Sequence, residues 1–160
     1  MQSCCKPYLT SRYLVGNFGE LIPDLHGIRQ KEGLSRETYA LLFQVTYNLE
    51  LLYYLNNALF EEALAIVPGL EDGLDQYAKL IEASSDLSYC YNISVVFLVM
   101  EQFSPGLKWV NRILGVKAGK ERLDIQGLAR IFSLVFHYEL GNYDLVENQI
   151  RSARGFFRKK

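Results

Sequence analysis

The sequence predicts an all-α fold, a stack of antiparallel helix hairpins with about seven or eight helices. Three observations predict it. An aromatic residue recurs every forty-odd residues in a constant local setting. The residues that follow it trace one face of a helix. No stretch alternates apolar and polar residues with period two over a useful length, so no β-sheet is expected.

The recurring aromatics are Phe18, Phe60, Phe103 and Tyr143, spaced 42, 43 and 40 residues apart. Each closes a short segment: Gly16-Asn17-Phe18, Ala58-Leu59-Phe60, Glu101-Gln102-Phe103 and Gly141-Asn142-Tyr143. Three residues on come Leu21, Ala63, Gly106 and Val146. Seven on come Leu25, Val67, Val110 and Ile150, and ten on come Ile28, Leu70, Ile113 and Ala153. Five residues before each aromatic, Tyr13, Leu55, Leu98 and Tyr138 close the preceding helix. Each unit is therefore a helix, a tight turn, and a second helix opened by the aromatic. One domain over 1–160 divides into units at about 1–33, 34–83, 84–118 and 119–160.

The elements follow in order. A short helix covers about 7–15. The next runs from Phe18 to about Lys31, with Pro23 in its first turns, where proline is tolerated, and Gly33 stops it. Ser35 caps a long helix from Arg36 to about Asn57. A helix opens at Phe60, and Pro68-Gly69 breaks or kinks it near Ile66 before it continues to about Ala83. Ser84 or Ser85 caps the next, which ends near Met100. Ser104 to Val116 follows, with Pro105 in its first turn. Gly115 and Gly119 bracket a loop. The last two helices span about 122–140 and Tyr143–Phe157.

Bulk composition bounds the function. Hydrophobic residues make up 49% and charged residues 22%, a globular balance and not a disordered one. Net charge is −1, so no global field draws in nucleic acid or membrane. Residues 36–105 carry two basic residues, Arg36 and Lys79, against ten acidic ones, whereas 106–160 carry eleven basic against five acidic. Three cysteines, Cys4, Cys5 and Cys90, do not make a disulfide framework, which predicts a reducing, cytoplasmic setting. The opening residues hold no apolar run of a secretory signal. The longest apolar stretch, Ile93 to Met100, is far short of the roughly 20 residues a bilayer span needs.

The segment Phe136-His137-Tyr138-Glu139-Leu140-Gly141-Asn142-Tyr143-Asp144-Leu145-Val146 resembles the centre of a tetratricopeptide repeat, whose turn reads Tyr-x-x-Leu-Gly-x-Tyr-x-x-Ala. Tyr138 is displaced slightly from the first tyrosine, Val146 replaces the alanine, and Ala153 falls at the later small position. At Phe103, Gly106 fills the alanine place; at Phe60 the turn glycine is missing but Ala63 is present; at Phe18, Gly16 is present and Leu21 replaces alanine. The period exceeds the family's unit of about 34 residues, and the proline that usually closes each unit is absent. The chain is thus similar to divergent bacterial tetratricopeptide-like proteins. The resemblance implies a right-handed superhelical α-solenoid that recognises another protein or peptide, and it implies no catalytic activity.

In such solenoids the first helix of each unit lines a groove. Twelve residues before the aromatics stand Asn48, Tyr91 and Ile131, flanked by Asn92 and Arg130. The resemblance makes Asn48, Tyr91, Asn92, Arg130 and His137 candidate groove residues, with asparagine to clamp a peptide backbone and Arg130 a carboxylate. Packing against neighbouring helices is the alternative role for each.

No residue pattern points to chemistry. His26 and His137 have no Cys or His at the spacings a metal site uses, and no phosphate-binding or nucleophile-elbow motif occurs. No metal, cofactor or enzymatic activity is expected. Glu61, Glu62, Glu71, Asp72 and Asp75 favour helix starts. Arg151, Arg154 and Arg158 share one face of the last helix, with Phe156 and Phe157 interleaved. They form either a solvated basic face suited to a helix C-terminus or a contact for an anionic partner, nucleic acid included. Phe156 and Phe157 predict that a dimer partner or downstream chain covers this helix. Three functional readings result: a peptide- or protein-binding scaffold, a self-associating module, and an adaptor using the basic last helix.

Overall fold

The computed structural model describes residues 21–116 and 122–158. The expected helix over 7–15, Phe18 with its turn, Cys4, Cys5 and Gly119 lie outside the described residues. Within them every regular element is an α-helix: α1 Leu21–Arg29, α2 Arg36–Asn56, α3 Phe60–Ala65, α4 Val67–Gln76, α5 Ala83–Val99, α6 Phe103–Gly115, α7 Leu123–Glu139 and α8 Tyr143–Arg158. None of these helices is long and apolar enough to cross a membrane. The chain divides into two compact units between Glu82 and Ala83. In the first, α1, α3 and α4 pack on α2; in the second, α6 packs on α5 and α7, and α7 on α5 and α8.

The hairpin turns are built alike. Two residues before Phe60, Phe103 and Tyr143 the backbone turns left-handed, at Ala58 (φ 56°), Glu101 (φ 55°) and Gly141 (φ 73°). Paired backbone bonds close each helix. Leu59 N–H donates to Tyr54 O and Ala58 N–H to Leu55 O; Gln102 to Phe97 and Glu101 to Leu98; Asn142 to His137 and Gly141 to Tyr138. This is the Schellman pattern, which satisfies carbonyls the helix end leaves open. The next residue is the aromatic, already helical, so no side-chain cap is needed at Leu59 or Gln102. Leu55, Leu98 and Tyr138 therefore sit where the sequence places the helix ends.

The other ends have local causes. Ser35 caps α2, accepting a hydrogen bond from Thr38 N–H at 3.3 Å. Pro68 has no N–H to give Leu64 O, and its ring crowds that carbonyl, so the helix breaks at Ile66 and restarts as α4. That helix ends at Gln76 and not near Ala83. Arg36 donates to Gln76 O at 3.0 Å, and Tyr77 leaves the helix to place its ring 5.6 Å from Phe43. Ser84 and Ser85 do not cap α5 but lie inside its first turn, where Ser84 O accepts from the Ser88 hydroxyl at 2.9 Å. α6 begins at Phe103, one residue before the expected start.

Most of the recurring positions face the core. Ala63, Val67 and Leu70 are buried in the first unit, and Gly106, Val110 and Ile113 in the second. Gly106 fits between neighbours: a Cβ there would stand 2.8 Å from Phe136 and 2.9 Å from Phe97. Phe136 is fully buried, with Phe103 and Phe132 rings each 6.2 Å away. Burying such a side chain stabilises by about 1.5–3 kcal/mol. In the first unit Leu21 and Leu25 of α1 meet Leu49 of α2.

Two substitutions test this account. Glu101→Gly relieves the left-handed strain of a residue with a Cβ and should raise stability by about 0.5–1 kcal/mol in urea unfolding. Gly106→Val should lower it by about 1–3 kcal/mol, because the site has no room to expand.

Candidate functional site

The candidate groove residues divide between the two units. Asn48 is half-buried on α2 of the first unit, and the other four lie in the second. Tyr91 of α5 stacks on Phe132 of α7, with ring centroids 5.6 Å apart and planes 17° from parallel. Asn92 is half-buried on α5. Arg130 lies over the Phe156 ring of α8 at 3.9 Å and donates to Gln126 O at 2.6 Å. Burial lowers its pKa from the ordinary arginine value. His137 is buried where α7 turns into α8, with its Nδ1 3.3 Å from Asn142 Nδ2. Tyr91, Arg130 and His137 thus pack helices within their own unit.

The basic last helix divides. Arg151 reaches Glu147 one turn back at 3.3 Å, both fully in solvent reach. Arg154 and Arg158 instead line an open groove of about 690 Å³ with Ile131, Leu134, Ile150, Ala153 and Phe157. This groove runs along the outer side of the α7–α8 hairpin. Leu128, Ile131, Val135 and Tyr138 of α7, spaced 3, 4 and 3, are all exposed, which is one helical face. Ile131 is 43% and Phe157 49% accessible.

A second cluster escaped the sequence reading. Glu50 on α2 is fully buried. One of its oxygens lies 2.8 Å from His26 Nε2 and accepts from the Tyr54 hydroxyl at 3.1 Å; the other pairs with Arg29 Nη2 at 2.5 Å, an ion pair without hydrogen-bond alignment. Arg29 Nε donates to the Thr46 hydroxyl at 2.9 Å, which in turn donates to Leu42 O at 2.7 Å. The Arg29 guanidinium also covers the Tyr47 ring at 3.7 Å. Burial first, then the neighbouring Glu50 charge, pushes the Tyr54 phenol up to about 12. A signal existed: Glu50 is the only residue charged at neutral pH between Thr38 and Phe60, and it lies four residues from both Thr46 and Tyr54.

Beside this cluster lies a cavity of about 310 Å³ between α2 and α4. Tyr39, Phe43, Tyr47 and Tyr77 wall it, with Gly69 and Gly73 opposite. A Cβ on Gly69 would meet the Tyr47 hydroxyl at 2.5 Å, and one on Gly73 would clash with the edge of the Phe43 ring. The glycines thus let the aromatic rings approach the α4 backbone. One Glu50 oxygen is hydrogen-bonded and the other faces Arg29 as an ion pair. The arrangement holds α1 on α2.

Comparison with protein-family models, with curated proteins and with solved structures finds no match to this chain. The functional reading therefore rests on the chain's own residues.

Removing one partner of a buried ion pair strands the other. Glu50→Ala should cost about 3–5 kcal/mol, while the Glu50→Leu, Arg29→Met double variant should recover most of the loss; equal damage by both in thermal unfolding would contradict the pairing. The raised Tyr54 pKa means the fold favours the neutral phenol. Its contribution is complete below pH 10 and is lost as pH rises from about 10 to about 12. Tyr54→Phe should flatten the alkaline fall in stability over that window.

Proposed function

We propose that this chain is a binding module for another protein or peptide, without catalytic activity of its own. It acts in a reducing, cytoplasmic setting as a right-handed superhelical stack of hairpins of the tetratricopeptide-like kind. Three Schellman turns in one register support the hairpin stack. The buried free thiol of Cys90, raised to about 12 chiefly by burial, behaves as a small apolar side chain and suits a reducing compartment.

The observation that carries the reading is the outer face of the last hairpin. The position seven residues after the aromatic is buried at Val67 and Val110 but open at Ile150. A position that builds the core earlier in the chain here faces solvent, while Ala153, three residues on, stays buried. Contiguous exposed apolar surface with a polar rim marks an interaction site.

A self-associating module is the second reading. Residues 1–82 carry six basic against eleven acidic residues, and 83–160 carry eleven against seven, so copies attract at low salt. Contact with nucleic acid is the weakest reading, since Arg151 is already paired and the groove floor is apolar.

Light scattering over a concentration series separates the first two readings. A constant monomer mass is expected. Mass that grows with concentration, and that Ile131→Glu returns to the monomer value, would favour self-association through this face.

A further inference from the structure

We infer that the groove on the outer side of α7 and α8 seats an acidic amphipathic helix contributed by another protein, which takes the place of a further helix in the stack. The inference rests on the binding-module reading and names its partner class.

The geometry of the second unit carries the first part. On its inner side α7 packs against α5 and α6. On its outer side it presents Leu128, Ile131, Val135 and Tyr138, the spacing through which one helix receives another. α8 supplies the second wall with Ile150 and Phe157. Two antiparallel helices with an apolar furrow between them form the seat into which a third helix lays its apolar face. α7 is 17 residues long, about 25 Å, so a partner helix of four to five turns covers it.

The charge carries the second part. The charged side chains lining the groove are Arg154 and Arg158, and neither has a hydrogen bond or ion pair among the described residues, unlike Arg151. A guanidinium beside an apolar floor binds carboxylate through paired, charge-assisted hydrogen bonds. A helix with leucines on one face and glutamates flanking them satisfies both features. The first unit of a second copy offers no such stripe: its exposed large apolar side chains among the described residues are Leu41 and Leu80, on separate elements. A nucleic acid leaves the apolar floor uncovered.

The test uses the full chain and three labelled synthetic peptides of about 18 residues, matched to the length of α7. All carry the same leucine face; the flanks are glutamate, glutamine or lysine. Fluorescence anisotropy should show the glutamate peptide binding tightest, with affinity falling as salt rises. Arg154→Glu with Arg158→Glu should weaken it about ten-fold or more and bring the lysine peptide to equal or better affinity. Ile131→Glu should abolish binding of all three while circular dichroism and melting temperature stay unchanged, since Ile131 is exposed.

Equal binding of the glutamate and glutamine peptides, still dependent on Ile131, would overturn the acidic partner and leave the binding-module reading standing. Failure of all three peptides with a face that pairs two copies in light scattering would overturn both. Failure of all three with a monomeric chain overturns the helix seat. A single-stranded oligonucleotide that displaces the glutamate peptide would also reject it, in favour of a phosphate partner.

Discussion

One left-handed residue reverses the chain within each hairpin, and the packing of the molecule depends on that reversal. At Ala58, Glu101 and Gly141 the same two backbone bonds end a helix, and the next helix starts two residues later. So short a connection leaves the two helices no choice but to run antiparallel and in contact. The aromatic that opens the second helix then falls at a fixed height against the first. From that fixed start, the residues three, seven and ten positions on meet the core after Phe60 and Phe103, and Ala153 does so after Tyr143. The turn is bought at a conformational cost where it uses Ala58 and Glu101, and the buried face that follows repays it.

The two units solve the close approach of helices with glycine in different ways. In the second, Gly106 makes room for Phe97 and Phe136, and an apolar core forms around the point where α5, α6 and α7 meet. In the first, Gly69 and Gly73 receive Tyr47 and Phe43, and a buried ion pair lies beside them. Glu50 is tolerated in the interior because Arg29, His26 and Tyr54 surround its carboxylate. Such a cluster adds little net stability over a well-packed apolar core, but it admits one arrangement of α1 on α2 and penalises others.

Much of the fold was legible in the sequence because it is set by local rules. The Ser35 cap, the break at Ile66 and the hairpin turns depend on residues within a few positions of one another. The end of α4 was not, because it depends on Arg36, forty residues away, reaching Gln76 O. The serines before α5 show the limit of cap rules: three residues, Ala83 to Ser85, all permit a start, and packing chooses among them. The candidate site was legible only in part. Arg154 and Arg158 were found by spacing along one helix. Tyr91 and Arg130 look free in sequence, yet each is held by a ring, Phe132 or Phe156, that only the fold brings near. Glu50 was passed over because an isolated acidic residue reads as a surface residue until its helix is known to be covered on that side.

The identical turns also say where this architecture can change length. α5 and α7 are both 17 residues long and both end in the same turn. The repeat spacing nonetheless shrinks from 43 to 40 residues between these hairpins. The difference must fall entirely in the second helix of the hairpin and the link that follows it. The longer stretch is the one in which the helix breaks at Ile66, before Pro68.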